Sequence, residues 1–227
     1  MSERFIKTLS EGLSIMNLNP QGEVLRSFAT YFNELKRWSA AYNITSLRDE
    51  REIALMLFLD SLLYLRAFRQ KPGLKILDVG SGGGFPGLVI KVAIPMVEVT
   101  LLEPSRKRVA FLRHIIKKLE LHGADVVQGS VEDFVKVPRL YDVITTKALF
   151  RLYDFIRKAA PLISDGGILV LSKGPNYGEE LDEAERKLQE GIKDYSIDII
   201  PLAIPTTEIE RNIIIVKKQN PSDTPGR

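Results

Sequence analysis

The chain has 227 residues, 44% of them hydrophobic, with a formal net charge of +3, two histidines and no cysteine. Disulfides, thiolate metal sites and a cysteine nucleophile are therefore excluded, and His114 and His122 alone make a metal centre unexpected. No apolar run approaches the ~20 residues that span a bilayer, and the N-terminus lacks a signal-peptide core, so a soluble cytoplasmic protein with no membrane contact is expected.

Residues 1–70 read as helical. Phe5, Leu9 and Leu13, then Val24, Phe28, Tyr31, Phe32, Leu35 and Trp38, recur at the three- and four-residue spacing of amphipathic helices, with Asn19-Pro20 between them. Trp38 and Tyr42 fit either a core position or a platform on which a base could stack. After the polar run Ala41–Ser46 the spacing predicts another helix from Asp49 to Phe68, and Lys71-Pro72-Gly73 breaks the chain. We read this segment as an N-terminal helical cap, followed by a main domain over 71–219 and a disordered tail over 220–227.

The stretch from Leu74 to Gly87, LKILDVGSGGGFPG, organises the main domain. Ile76, Leu77 and Val79 make a buried strand that ends at Asp78 and breaks into five glycines before a helix restarts at Leu88. Glycines tolerate positive φ and let a ligand approach the backbone, and the following helix offers free N–H groups. The dinucleotide fingerprint requires G-x-G-x-x-G, whereas here Phe85 stands where the third glycine would fall. Asp78, close to the loop, would repel a pyrophosphate but suits the amino and sulfonium groups of S-adenosylmethionine, which is therefore the expected cofactor.

Beyond the loop, strands and helices alternate. Val97–Leu102 is a second strand ending at Glu103, where an acid binds ribose hydroxyls of either cofactor type. A helix over Ser105–Leu121, a strand over Ala124–Gln128, a strand over Tyr141–Thr146, a helix over Arg151–Ile163, a strand over Gly167–Ser172 and a helix over Glu179–Glu190 follow. Gly129-Ser130-Val131-Glu132 suits either an adenine contact or a helix N-cap by Ser130. Ile197–Ile204 and Ile213–Val216 are joined too closely for a parallel crossover and should be antiparallel. The pattern predicts an α/β, doubly wound, Rossmann-like sheet closed by an antiparallel hairpin, with its ligand site at the strand carboxyl ends.

Cations cluster on one helix: Arg106, Lys107, Arg108, Arg113, Lys117 and Lys118 precede the first acid, Glu120. Such a helix beside a cofactor loop is an electrostatic footprint for nucleic acid, or a solvated helix face. With no cysteine, methylation of a pyrimidine carbon is disfavoured. The run after the fourth strand, Thr145-Thr146-Lys147-Ala148, also lacks the Asn/Asp-Pro-Pro-aromatic pattern used on exocyclic amines. A ring nitrogen such as guanine N7 has an in-plane lone pair and needs orientation more than a general base.

DVGSGGGFPG at Asp78–Gly87, YNIT at Tyr42–Thr45, LDSL at Leu59–Leu62 and LLEPSRKRVAFL at Leu101–Leu112 resemble the glucose-inhibited division protein B family, bacterial small-subunit ribosomal RNA guanine-N7 methyltransferases. The resemblance implies a class I methyltransferase domain behind N-terminal helices. It implies that Asp78, Gly80, Ser81, Gly82, Gly84 and Phe85 hold S-adenosylmethionine, with Glu103 on its ribose, Val131-Glu132 near its adenine and Lys147 beside it. Asn43, Lys147 and Lys173 become candidate catalytic residues, and Lys107, Arg108, Arg151 and Arg211 candidate RNA contacts. Two residues depart from the family pattern: Lys147 replaces an arginine, and Leu57 replaces a histidine. Lysine keeps the charge but loses the planar fork of arginine.

The leading expectation is a monomeric methyltransferase acting on 16S ribosomal RNA, naked or within a particle. Other acceptors, a silent RNA-binding assembly factor, and a nicotinamide-dependent hydride transferase are the alternatives.

Overall fold

The computed structural model describes residues 2–18, 22–136, 139–147, 149–191 and 195–218. Asn19-Pro20, Ala148 and the tail 220–227 lie outside the described residues.

Helix α1 (Glu3–Ile15) starts on Ser2, whose hydroxyl accepts from Phe5 N–H, and α2 (Gly22–Tyr42) follows. Phe5, Leu9, Leu13, Phe28, Tyr31, Phe32 and Leu35 are all buried, as their spacing requires. The helix expected over Asp49–Phe68 is instead composite: α3 (Glu50–Ile53), a π-helical stretch Ala54–Leu59, α4 (Asp60–Leu62) and a 3₁₀ turn Leu63–Arg66. The irregularity has a local cause. Asp60 N–H bonds Leu55 O, five residues back, leaving Met56 O open to another partner.

Seven strands form one sheet in the order β3-β2-β1-β4-β5-β7-β6. They are β1 (Lys75–Val79), β2 (Glu98–Glu103), β3 (Ala124–Gln128), β4 (Tyr141–Lys147), β5 (Ile163–Lys173), β6 (Tyr195–Ala203) and β7 (Glu210–Lys218). The first five are parallel, and β7 runs antiparallel between β5 and β6. The connecting helices are α5 (Gly87–Ala93), α6 (Arg106–Lys118), α7 (Val131–Phe134), α8 (Leu152–Ala159) and α9 (Gly178–Gly191). Strand β5 starts four residues earlier than its apolar run suggested, because Ile163 pairs with Tyr141 before a shift in register.

Helices cover both faces, so β1 is buried at every position after Lys75 and reads as a continuous apolar run. Alternate residues split between two cores. Ile76, Val99, Leu101, Val143 and Ile213 pack against α1, α2, α5 and α6. Leu77, Val79, Leu102, Ile144 and Ile214 pack against α7, α8 and α9. The N-terminal helices share the first of these cores with the sheet. The order of strands turns back between β1 and β4, which makes the carboxyl end of β1 the topological switch point where α/β sheets bind ligands.

Candidate active site at the strand carboxyl ends

The glycine loop leaves β1 at that switch point and is tied down almost residue by residue. Gly80 and Ser81 N–H both bond Leu102 O, at 2.8 and 3.2 Å, while Gly84 and Phe85 N–H bond Ser81 O. Gly82 N–H bonds Glu103 Oε2 at 2.8 Å, and Gly87 N–H bonds Asp78 Oδ2 at 2.9 Å. Among the described residues, Gly83 N–H is the loop amide with no partner. Gly82 has φ +59°, and a Cβ there would have nothing nearer than 3.9 Å. The loop is thus an open, backbone-lined cradle at a position where side chains are strained. Leu149, after β4, lies directly over Gly80.

The two acids of the site serve the loop from below. Asp78 is fully buried; Oδ2 accepts from Gly87 N–H and Oδ1 lies 3.3 Å from the Thr145 hydroxyl. Burial raises its pKa from 3.8 to about 7, against the lowering effect of these hydrogen bonds. Expected as a residue of the donor site, Asp78 has its carboxylate directed to the first amide of α5. Glu103, 2% exposed, bonds Gly82 N–H through Oε2 and Ser105 N–H through Oε1, with Arg108 Nη1 at 4.0 Å. Ser81 is buried and donates to Asp78 O at 2.8 Å, so it too supports the turn.

Beside the loop lies a buried ionic cluster. Asp60, on α4, receives Lys147 Nζ on Oδ2 at 2.9 Å and Arg211 Nε on Oδ1 at 3.0 Å. Lys147 Nζ also donates to Met56 O at 2.6 Å, the carbonyl freed by the π-helical turn. Burial pulls the Lys147 pKa down while Asp60 opposes that shift. Tyr64, buried next to Asp60, donates to Thr146 O at 2.7 Å. Lys147 and Arg211 therefore face inward: Lys147, expected beside the donor as a catalytic candidate, and Arg211, expected as an RNA contact, are both held by Asp60 instead. One carboxylate shared by two cations explains why both turn in.

The remaining site candidates separate. Lys173, at the end of β5, donates to Phe150 O and to Glu180, not into the loop. Val131 is buried in the core under α8, and Glu132 is exposed and paired with Lys158. Ser130 caps α7. Asn43 is exposed at φ +52°, and its Oδ1 accepts from Arg48. The next residue, Ile44, packs on Gly83, which brings the YNIT stretch to the loop. Trp38 is half-buried against Phe111 and His114, whereas Tyr42 is 49% exposed, so of its two alternatives the core position does not hold. Arg151 is exposed and pairs with Glu183. On α6, Arg106, Lys107, Arg108, Arg113, Lys117 and Lys118 all face solvent. Among the described residues, Arg106, Lys107, Arg113, Lys117 and Lys118 have no acidic partner.

Sequence reasoning missed Tyr31, Asp60 and Leu149 as parts of the site. Tyr31 and Asp60 lie on helices whose periodicity signals packing only, and Leu149 reads as an ordinary loop residue. A recess of about 410 Å³ between the end of α1 and the β6–β7 turn contains none of the candidate residues. No helix among the described residues is long and apolar enough to cross a membrane.

A sheet of this order, a glycine loop at its switch point and an acid at the end of β2 define a class I S-adenosylmethionine-dependent methyltransferase. Solved structures share the fold. An O-methyltransferase from Bacillus cereus in complex with SAH superposes with a TM-score of 0.59 at 16% identity, covering 84% of this chain and 91% of that one. TrmN from Thermus thermophilus gives 0.57 at 17% identity, over 81% of this chain and 52% of that one. The chain belongs to the rRNA small subunit methyltransferase G family, whose model matches residues 24–206. Relatives named ribosomal RNA small subunit methyltransferase G include one from Caldanaerobacter subterraneus subsp. tengcongensis, 32% identical over 100% of this chain and 96% of its own. Another, from Syntrophus aciditrophicus, is 35% identical over 86% of this chain and 81% of its own.

Proposed function

We propose that this chain transfers the methyl group of S-adenosylmethionine to N7 of a guanine in 16S ribosomal RNA, acting as a cytoplasmic monomer on an assembling small-subunit particle. The observation that carries the reading is the glycine loop, pinned by Glu103 and Asp78 and open above Gly82, in a member of this family.

The residues fit the donor. The backbone at Gly82 leaves room for it, Gly83 N–H is free to donate among the described residues, and Glu103 retains lone pairs for hydroxyls. When bound, the donor supplies an electrophilic methyl on a sulfonium. Guanine N7 already presents a lone pair, so the protein's work is to align the base and exclude water. Asn43 and Tyr42 stand on the loop's flank, and the unpaired cations of α6 attract the RNA backbone. The Asp60 cluster fixes the carboxyl end of β4, from which Leu149 reaches Gly80.

The test is methyl transfer from labelled S-adenosylmethionine to naked 16S RNA and to small-subunit particles, followed by nucleoside analysis. Label in 7-methylguanosine, with particles the better substrate, is the expected result. Label on another atom, or no transfer from a donor-binding protein, overturns the reading.

A further inference from the structure

Tyr31 lies on α2, well outside the loop in sequence, and is fully buried. Its neighbours are mostly rings without polar atoms: Phe85 stacks on it at 5.6 Å with an interplanar angle of 9°, and Phe58 meets it edge-on at 5.3 Å. A hydroxyl buried in such a cluster is costly unless it is bonded, and phenylalanine would fill the same space. The hydroxyl of Tyr31 donates to Gly83 O, 52 residues away. The same peptide is held at its other end, where Gly84 N–H bonds Ser81 O at 2.7 Å. A Cβ on Gly84 would run into that hydroxyl. Burial, reinforced by Asp78, holds the phenol pKa well above its ordinary value, so the group remains a neutral donor.

We propose that Tyr31 is a positioning residue of the donor site: its hydroxyl locks the Gly83–Gly84 peptide in the orientation that receives S-adenosylmethionine. The inference rests on the methyltransferase reading and adds to it that α2 is part of the donor site. Without the hydroxyl, Gly83 O is a buried acceptor with no donor, and the peptide turns to find one. The binding-competent fraction of the loop then falls, and the apparent affinity falls with it.

The experiment is calorimetric titration of S-adenosylmethionine into wild type, Tyr31→Phe and Ile44→Ala, with steady-state methylation of small-subunit particles. Tyr31→Phe is expected to weaken donor binding about 5- to 20-fold and raise the donor KM in step. Its kcat at saturating donor and its KM for particles should stay within about threefold of wild type. Ile44→Ala, which removes packing on Gly83 but no hydrogen bond, should change donor affinity less. A donor Kd in Tyr31→Phe within twofold of wild type, or an equal loss in Ile44→Ala, overturns the proposal. Wild type that binds no donor overturns the methyltransferase reading as well. A measurement on wild type alone stands even where the variant fails to fold: the amides of Gly84 and Phe85 should be protected from hydrogen exchange before donor is added. Exchange at the rate of an unstructured peptide, slowed only by donor, overturns the proposal.

Discussion

The glycine loop and the Asp60 cluster occupy neighbouring strand ends, and each is built around a buried carboxylate, yet they satisfy it in opposite ways. Asp78 makes no ion pair with a described residue; an N–H and a hydroxyl hold it, and its pKa rises to about 7. Asp60 takes two cations, one of them 151 residues along the chain. A carboxylate held by dipoles can lose its charge at neutral pH without losing its hydrogen-bond partners. One that holds two buried cations together serves as the counter-charge of both. The first suits a loop that must keep its shape around a ligand, the second a joint between α4, β4 and β7.

The sharpest way to break the contrast is to remove each charge in turn. Asp60→Asn leaves Lys147 and Arg211 buried without a counter-charge and should cost about 3–5 kcal/mol in urea unfolding. Gly84→Ala attacks the loop through its backbone. With φ at +93° and Leu88 and the Tyr31 hydroxyl in the way, it should cost about 2–4 kcal/mol and abolish measurable donor binding in the same preparation.

A third test uses pH. A carboxyl with a folded pKa raised above its unfolded value binds more protons when folded, so its contribution to stability declines as pH climbs from 3.8 through about 7. Between pH 5 and 8 wild type should lose about 2–3 kcal/mol from this source, and Asp78→Asn should lose that slope while keeping the fold. Denaturation of both proteins across that range decides it; parallel slopes would mean that Asp78 is ionised throughout. The smallest effect on stability should come from the exposed helix. Lys107→Ala should shift stability by less than about 0.5 kcal/mol, while the dependence of RNA affinity on log salt concentration becomes shallower by about one. Filter binding at several salt concentrations would reveal it.

These contrasts also explain what could be read in advance. The β-α alternation, the antiparallel last pair and the glycine loop are local patterns of period, turn residue and spacing, and the sequence carries them openly. So does the basic face of α6, because a run of cations has nowhere to go but solvent. The inward turn of Asp78 is not legible, since a strand pattern says which face a side chain takes but not whether it reaches over or under the next loop. Arg211 is harder still: an arginine at the start of a strand looks like a surface residue until Asp60 is brought beside it. The π-helical turn was hidden for a related reason. Apolar spacing from Ile53 to Tyr64 tolerates one wide turn, and only the appearance of Lys147 against Met56 O shows what that turn is for.

The placing of β7 between β5 and β6 has a consequence for how the molecule is made. During synthesis β6 emerges first but has no strand to join, because the position beside β5 belongs to a segment still to come. Asp60 and Lys147 are available early, yet their third partner stands at the head of that same late strand. A nascent chain stopped before Glu210 would carry β5 as a bare edge, open to pairing with other chains. Arrival of β7 closes the sheet and brings the second cation onto Asp60 in a single event, so the donor loop can take its shape well before the platform beside it is secured.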